Sequence, residues 1–429
     1  MPPTTTTTTT RRRRSSSTAS VLQPIQTNIN PVPSPQRSPK RSNQPCRRKS
    51  ESGENGRRRH RRVSFANPIV TNANTLSNPP VVPKSPSNNQ HCVQTLPLPD
   101  APHCVALMER DGFDALPKRF SPPKVTPAQG QSYQIALCRS DTDRRSPGYG
   151  MFATRNINRG GVILVERAVM VVSTSCFGSC SSIDQLLDPK VRKAVMRLTD
   201  VHAGAEPTLE GIIRTNGLEV EIGQRDCQGI FLDSSRINHS CGPNAFYRWD
   251  APSLSITLEA VRPISAGSEI TIPYIDCLQP RADRRKQLKT LYNFDCFCKH
   301  CDVHWSEPNV SIKSDMNRRK IREFWDRTPS FDNWCESDDP DDALINLHID
   351  ALEMRAAEGM ESYVYKKHIE IIAMCYGSMK DKDNFICWME RGVAANKEAK
   401  PDVAGVFAKW TQDLRTFPAW GCRARAPAH

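Results

Sequence analysis

Hydrophobic and polar residues alternate in short runs from about residue 133 to residue 275, as expected for β-strands. "YQIALCRS" alternates like a single strand, and "SPGYGMFATRNINRGGVILVERAVMVV" indicates a glycine turn followed by two strands. Between residues 184 and 224 the apolar spacing is typical of helices, and short strands bounded by Gly and Pro follow. The pattern predicts a β-rich α+β domain with a mostly helical insert over residues 174–224.

From residue 309 to residue 429 the apolar spacing becomes helical. Residues 341–359, 361–379 and 383–399 each have helix length and amphipathic character. "DVAGVFAKWTQDL" places one apolar face on a further helix, formed by Val403, Val406, Phe407, Trp410 and Leu414. These segments predict an α-helical C-terminal domain of packed hairpins.

The first 130 residues differ in composition from the rest of the chain. They hold 20 Lys and Arg against 6 Asp and Glu, whereas the remainder holds 39 against 40, so the overall charge of +13 resides in this arm. They also hold 20 of the 34 prolines, so residues 1–130 are predicted to be a disordered basic arm rich in Pro, Ser and Thr. Without a signal peptide or a membrane-length apolar run, the sequence predicts a soluble protein of the nucleus and/or cytoplasm.

Sixteen cysteines in such a compartment indicate thiols or metal ligands more than disulfides. "FDCFCKHC" places Cys296, Cys298 and Cys301 in a C-x-C-x2-C array, and zinc prefers four tetrahedral soft ligands. The array therefore requires a fourth ligand. His300 and His304 are local candidates, and Cys241 in "NHSC" is a distant one.

Four motifs occur in order along the chain: "GYGMFA", "NHSCGPN", "GSEITIPYID" and "LYNFDCFCKHC". This order resembles SET-domain protein-lysine methyltransferases, closest to SMYD-like and fungal SET proteins with a post-SET cysteine cluster, over residues 133–305. The resemblance implies an S-adenosylmethionine cofactor and a fold of small curved sheets. In that fold the "NHSC" segment threads under the loop of the catalytic tyrosine as a pseudoknot. It divides this region into a SET domain over residues 131–278 and a zinc-binding post-SET segment over residues 279–308.

The resemblance also implies roles for individual residues. It makes Cys241 the fourth ligand of a Zn²⁺ ion shared with Cys296, Cys298 and Cys301. It makes Tyr274 the catalytic tyrosine and Tyr292 a second aromatic of the lysine channel. The implied cofactor contacts are Gly148, Tyr149, Gly150, Asn216, Ser235, Asn238, His239, Tyr274 and Phe294. Asn238 and His239 are thus expected to face the cofactor, while Cys241 faces the metal.

The chain departs from SMYD proteins, which carry a zinc-binding MYND module of about eight Cys and His ligands inside the SET region. Between Val172 and Arg225 this sequence offers only Cys176, Cys180 and His202. The MYND module is therefore predicted to be absent, and Cys176 and Cys180 are expected to be an incidental pair.

"RRRHRRVSFANP" in the arm allows several interpretations. Its basic run fits a nuclear import signal or contact with nucleic acid. "RVSF", from Arg62 to Phe65, resembles a protein phosphatase 1 docking motif, and "RRVS" resembles a basophilic kinase site at Ser64. Phosphorylation of Ser64 would then block docking. A solvated basic tail is the simpler alternative.

Three functions are compatible with these features. The first is an S-adenosylmethionine-dependent lysine methyltransferase acting on a histone or another protein. The second is a catalytically weak SET-fold scaffold in chromatin or signalling, and the third is a basic nucleic-acid-binding zinc protein. The presence of Asn238, His239, Tyr274 and Phe294 favours the enzyme, and the charge lies in the arm, away from the cysteines.

Overall fold

The fold comes from a computed structural model that describes residues 91–127, 130–138, 148–302, 308–361, 364–397 and 400–424. The phosphatase and kinase motifs of the arm and the candidate ligand His304 lie outside these residues. The α+β class is confirmed, because small mixed sheets occupy the first two thirds of the described chain and helices the last third. None of the described helices combines the length and apolarity needed to cross a bilayer.

The predicted end of the disordered arm at residue 130 is wrong. Strands β1 (His91–Leu96) and β2 (Cys104–Glu109) pair antiparallel and are followed by the short helix α1 (Arg110–Asp114). The first five residues of β2 are buried, so this run contributes to the core of the folded domain. The average composition of residues 1–130 concealed the two six-residue strands. The prolines and charges of this arm lie mostly in the segments that flank β1 and β2.

Ten more strands complete three sheets. They are β3 (Tyr133–Leu137), β4 (Tyr149–Ala153), β5 (Val162–Arg167), β6 (Met170–Ser173), β7 (Leu218–Ile222), β8 (Arg225–Ile230), β9 (Asn238–His239), β10 (Ala245–Asp250), β11 (Ser255–Ala260) and β12 (Glu269–Ile272). The sheet orders are β1-β2-β6-β8-β7, β10-β11-β5 and β3-β4-β12-β9. The third sheet gathers the glycine turn, the "NHSC" thread and the strand before Tyr274 side by side.

The insert is helical over most of its length, as predicted, but its last part is a strand. A 3-10 segment (Thr174–Leu186) leads to helices α2 (Pro189–Val195) and α3 (Leu209–Asn216). Cys176 and Cys180 pack inside the apolar core of this region, where burial raises the pKa of both thiols. The helical prediction for "LEVEI" is wrong, because its strict alternation of buried apolar and exposed acidic residues forms β7.

The C-terminal region is helical as predicted. Its members are α5 (Pro308–Arg327), α6 (Phe331–Glu336), α7 (Ala343–Ala357), α8 (Val364–Ser378), α9 (Lys382–Asn396) and α10 (Pro401–Gln412). The apolar face of α10 is narrower than the spacing indicates, since Phe407 is buried whereas Val406 is 46% exposed. Leu414 lies beyond α10 in a separate 3-10 turn (Leu414–Thr416).

Helix α4 (Arg281–Tyr292) links the SET region to the cysteine array. It ends at Asn293, whose positive φ of 53° turns the chain sharply toward Phe294 and Cys296. This turn brings the end of the helix, with Tyr292, next to the "NHSC" thread.

Candidate functional site

Four thiols converge although one of them is distant in sequence. The Sγ atoms of Cys241, Cys296, Cys298 and Cys301 all lie within 4.8 Å of one another. Cys241 Sγ is 3.5 Å from Cys301 Sγ and 4.0 Å from Cys296 Sγ. A tetrahedral zinc with Zn–S bonds near 2.3 Å requires sulfurs about 3.8 Å apart. The four cysteines therefore fit a structural zinc ion without rearrangement of the backbone.

His300 is not part of this group, which settles one of the alternatives left open by the sequence. Its Nε2 atom faces Gly242 and has no hydrogen-bond partner among the described residues. A Cβ atom on Gly242 would lie 2.4 Å from that nitrogen, so only glycine fits at this turn.

Two fully buried arginines lie against the thiol cluster. Arg284 of α4 places Nη2 4.0 Å from Cys301 Sγ and donates to the carbonyl of His300 at 3.4 Å. Arg318 of α5 donates to the carbonyl of Cys241 at 3.1 Å and pairs with the buried Glu358 at 3.1 Å. A zinc ion bound by four thiolates would carry two net negative charges, and these two cations would offset part of that charge, since Arg318 also pairs with Glu358 and Arg284 lies 3.8 Å from Asp315.

The ring of His239 contacts both the cysteine cluster and the tyrosine loop. Its Nδ1 accepts the backbone N–H of Tyr274 at 3.0 Å, so a neutral ring carries its proton on Nε2. Nε2 lies 3.3 Å from Cys241 Sγ and can donate to it. Burial lowers the pKa of His239 to about 4, so the ring is neutral at pH 7. Any cofactor contact from His239 would therefore use its backbone or its ring face.

Asn238 joins the thread to the glycine turn on the other side. Its Nδ2 donates to the carbonyl of Tyr149 at 3.2 Å and to Oε1 of Glu269 at 2.8 Å. A Cβ on Gly150 would lie 2.8 Å from the Glu269 carboxylate and 2.9 Å from the Asn238 amide. Gly150 therefore allows the close approach of β4 to this pair, and the carbonyl of Gly148 anchors the turn by accepting from Cys138 N–H at 2.8 Å.

An aromatic group lies over the thread. The rings of Tyr274 and Tyr292 have centroids 4.9 Å apart, and Phe294 lies 6.2 Å from the His239 ring. The Tyr274 hydroxyl donates to the carbonyl of Ile237 at 2.6 Å, and the Tyr292 hydroxyl donates to the carbonyl of Tyr274 at 3.3 Å. Burial raises the pKa of both hydroxyls, that of Tyr292 to about 12, so both stay protonated.

Two predicted residues make structural contacts apart from this group. The amide of Asn216 donates to the carbonyls of Thr199 at 2.6 Å and Ile212 at 2.7 Å, both within the insert. Ser235 is buried, and its hydroxyl accepts from the backbone N–H of Phe231 at 3.1 Å. These bonds hold the two side chains within their own segments and use the Asn216 amide nitrogen and one lone pair of the Ser235 hydroxyl.

Glu269, Arg284 and Arg318 belong to the site although the sequence patterns do not single them out. Glu269 lies inside the "GSEITIPYID" motif, five residues before Tyr274. This position in the motif could have indicated that Glu269 belongs to the site. The two arginines lie among many basic residues of α4 and α5, and no local pattern separates them from the exposed ones.

Comparison with known proteins agrees with this geometry. Residues 148–275 match the family model described as the SET domain. Histone-lysine N-methyltransferase set5 of Schizosaccharomyces pombe is 30% identical over 184 residues, which cover 42% of this chain and 54% of that protein. Histone-lysine N-methyltransferase SMYD3 of Mus musculus is 36% identical over 95 residues, or 22% of each chain. N-lysine methyltransferase SMYD2-B of Danio rerio is 40% identical over 96 residues, again 22% of each chain.

The chain thus contains a SET domain, and the predicted resemblance to SET-domain lysine methyltransferases is confirmed. It spans about half the length of the set5 protein and less of the SMYD proteins.

Proposed function

We propose that the protein is an S-adenosylmethionine-dependent protein-lysine N-methyltransferase. The observation that carries the proposal is the half-buried pair of Tyr274 and Tyr292, whose tilted rings have centroids 4.9 Å apart beside the "NHSC" thread of a SET domain. Aromatic walls exclude water, so a lysine that enters them loses solvation of its ammonium form and its pKa falls toward neutrality. The neutral amine is the form that can accept a methyl group.

The hydroxyl of Tyr274 has a defined orientation in this proposal. Because its proton points to the Ile237 carbonyl, its lone pairs remain available to accept a hydrogen bond from the substrate amine. The π faces of both tyrosines would attract ammonium or methylammonium groups. Holding the amine in line with the donor supplies much of the acceleration, as positioning does in bimolecular reactions generally.

S-adenosylmethionine, when bound, would supply the methyl group on a sulfonium that is already activated for transfer. The residues that would hold it are Gly148, Tyr149, Gly150, Asn216, Ser235, Asn238, His239, Tyr274 and Phe294. The close approach at Gly150, where a side chain would strike Glu269 and Asn238, supports a cradle formed by backbone. The present hydrogen bonds use the Asn216 amide nitrogen and one lone pair of the Ser235 hydroxyl, so a polar contact with the cofactor would use the Asn216 Oδ1 or the Ser235 O–H.

Zinc bound by Cys241, Cys296, Cys298 and Cys301 forms the second part of the proposal. The metal would tie the loop after α4 to the thread between β9 and β10. Phe294 lies two residues before Cys296, so the same tie would fix this aromatic residue, which is proposed to contact the cofactor.

Two measurements on the full-length, zinc-loaded chain test the enzyme. Calorimetry should detect S-adenosylmethionine binding, and radiolabelled methyl transfer to histones or cell extract should fall by about 100-fold or more in Tyr274→Phe. Tyr376→Phe is a matched control, because Tyr376 packs in the helical region. Cofactor binding without transfer to any substrate would favour the scaffold, and a folded protein that binds no cofactor would refute the enzyme.

The arm is proposed to carry the partner contacts and to direct the protein to the nucleus, where histone substrates lie. Residues Arg62–Phe65 would dock protein phosphatase 1, and phosphorylation of Ser64 would place negative charge inside the docking segment. The basic run beside it would contact an import receptor or nucleic acid. A peptide of residues 57–68 should bind the phosphatase, and equal affinity of its Ser64-phosphorylated form would refute the switch.

A further inference from the structure

Two cysteines of the helical region meet although 87 positions separate them. Cys335 lies near the end of α6, and Cys422 lies in a turn that follows Ala419. Their Sγ atoms are 2.8 Å apart, both thiols are reduced, and Cys422 is exposed while Cys335 is half-buried. One thiol is therefore open to solvent with its neighbour already within bonding reach after a small side-chain rotation.

The backbone on both sides of Cys422 is fixed. Gly421 N–H donates to the carbonyl of Gly377 at 3.0 Å, and Arg423 N–H donates to the carbonyl of Ser378 at 2.9 Å. Gly421 has a positive φ of 74°, a conformation that favours glycine. The backbone therefore holds the Cα atom of Cys422 in one position, and its side chain keeps the rotation needed for bonding.

The backbone next to Cys335 is held by Arg423, the residue that follows Cys422. The side chain of Arg423 is 2% exposed, and its guanidinium lies 4.0 Å from the ring of Trp334. It also donates to the carbonyl of Trp334 and pairs with Asp341 at 3.0 Å. Trp334 precedes Cys335 and is fully buried, so this contact locks the two thiols onto one rigid surface.

We propose that Cys335 and Cys422 form a dithiol site that hydroperoxides oxidise to a disulfide between α6 and the C-terminal turn. The site is separate from the four cysteines of the SET region and does not depend on methyl transfer. Intracellular disulfides of this kind are usually transient and redox-responsive.

The reaction balances with hydrogen peroxide as the oxidant. The Cys422 thiolate attacks one peroxide oxygen, the O–O bond breaks, and the product is a sulfenic acid with one water after protonation. The Cys335 sulfur then attacks the sulfenic sulfur, and the hydroxide that leaves takes the Cys335 proton to form a second water. A hydrogen bond from the Cys335 thiol lowers the pKa of Cys422, which favours its thiolate as the first nucleophile.

The test uses the full-length, zinc-loaded chain with one equivalent of hydrogen peroxide. The remaining thiols are alkylated, the protein is digested without reduction, and peptides are identified by mass spectrometry. We expect a peptide pair joining Cys335 to Cys422 that dithiothreitol separates. We also expect Cys422 to lose its free thiol about tenfold faster than Cys387, an exposed cysteine of α9.

Two variants sharpen the result. In Cys335→Ser, Cys422 should stop at the sulfenic acid and react with dimedone, with no linked peptide. Cys387→Ser should leave the linkage unchanged. Equal oxidation of Cys422 and Cys387, or linkage of Cys422 to a different cysteine, would overturn the proposal. Since the wild-type measurement needs no variant, poor folding of a serine variant would not prevent this decision.

Discussion

Arg318 is expected to stabilise both the thiol cluster and its attachment to the C-terminal helices. Its guanidinium is fully buried and donates to the carbonyls of Cys241 and Cys277, and at 3.3 Å to the backbone carbonyl of Glu358. Its Nε lies 3.1 Å from the Glu358 carboxylate. Arg318→Met keeps most of the side-chain volume while it removes the charge and the donors.

The structure sets the size of the expected effect. Removing one partner of a buried ion pair costs about 3–5 kcal/mol, because the other charge stays buried without compensation. Glu358 keeps hydrogen bonds from Ser314 at 2.5 Å and from Asn317 at 3.1 Å, which place the loss toward the lower end. The carbonyls that lose a donor add about 1 kcal/mol. We expect Arg318→Met to lower the free energy of unfolding by about 4 kcal/mol in total.

Urea unfolding with excess zinc, followed by tryptophan fluorescence, measures this loss. Adding Glu358→Gln to Arg318→Met removes the stranded carboxylate charge and should recover about 2 kcal/mol, so the double-mutant cycle isolates the pair. A chromogenic chelator should also extract zinc about tenfold faster from Arg318→Met, because one of the two balancing cations is gone.

Arg319→Met is the matched control, since Arg319 is the next residue of α5 and is exposed. It should change the free energy of unfolding by less than about 0.5 kcal/mol and leave zinc release unaltered. If the Arg318 and Arg319 variants behave alike, or if Arg318→Met loses less than about 1 kcal/mol, the electrostatic reasoning is refuted.

Three further outcomes are expected. Cys298→Ser should purify with less than one zinc per chain by atomic absorption, while the exposed Cys387→Ser should retain it. Gly150→Ala should weaken S-adenosylmethionine binding by about tenfold in calorimetry, since its Cβ would displace the Glu269 carboxylate. Burial lowers the pKa of His348 to about 3 and of His368 to about 2, against about 6.5 when unfolded. Between pH 6.5 and 4, only the unfolded chain takes up these protons. The free energy of unfolding should therefore fall by up to about 1.4 kcal/mol per pH unit for each histidine as the pH decreases through this range. In urea titrations, His368→Gln should reduce that slope.

The histidine outcome depends on the surroundings of the pair. His348 and His368 place their Nδ1 atoms 2.9 Å apart beside Phe324 and Trp325, and the nearby Lys367 and Arg355 further disfavour their cations. An unchanged slope in His368→Gln would mean that His368 is already protonated in the folded protein.

Local chemistry made part of this fold predictable. The helices α7, α9 and α10 follow from apolar spacing, because each buries one face of an amphipathic segment, whereas α8 is buried on most sides from His368 to Ser378. The spacing of Cys296, Cys298 and Cys301 predicts that their thiols cluster. The meeting of these thiols with Cys241 was implied by the family resemblance, which rests on the order of four motifs and not on any one of them. Strand β7 was predicted as helix because it follows α3 directly. Its alternation is only five residues long and resembles a last turn of that helix.

Contacts between distant segments could not be predicted in the same way. Arg318 is one arginine among several on α5, and only the folded chain shows that it alone faces the Cys241 carbonyl. The meeting of Cys335 with Cys422 likewise depends on how α6 and the last turn pack, which neither segment encodes. Strands β1 and β2 are short, and β6, which pairs with β2, lies more than 60 residues further along the chain.

The side chains of the "NHSC" stretch lie in two environments, the glycine turn and the thiol cluster. His239 lies with the thiol cluster, whereas the resemblance placed it with Asn238. The sequence resemblance grouped Asn238 with His239 and set Cys241 apart. In an extended chain, side chains alternate between faces, so His239 and Cys241 share one face and Asn238 takes the other. The parallel pairing of β9 with β12 fixes that alternation, and the 3.3 Å contact between His239 and Cys241 follows from it. Since His239 also holds the backbone of Tyr274, a metal bound at Cys241 would fix the position of the proposed catalytic tyrosine through one intervening ring.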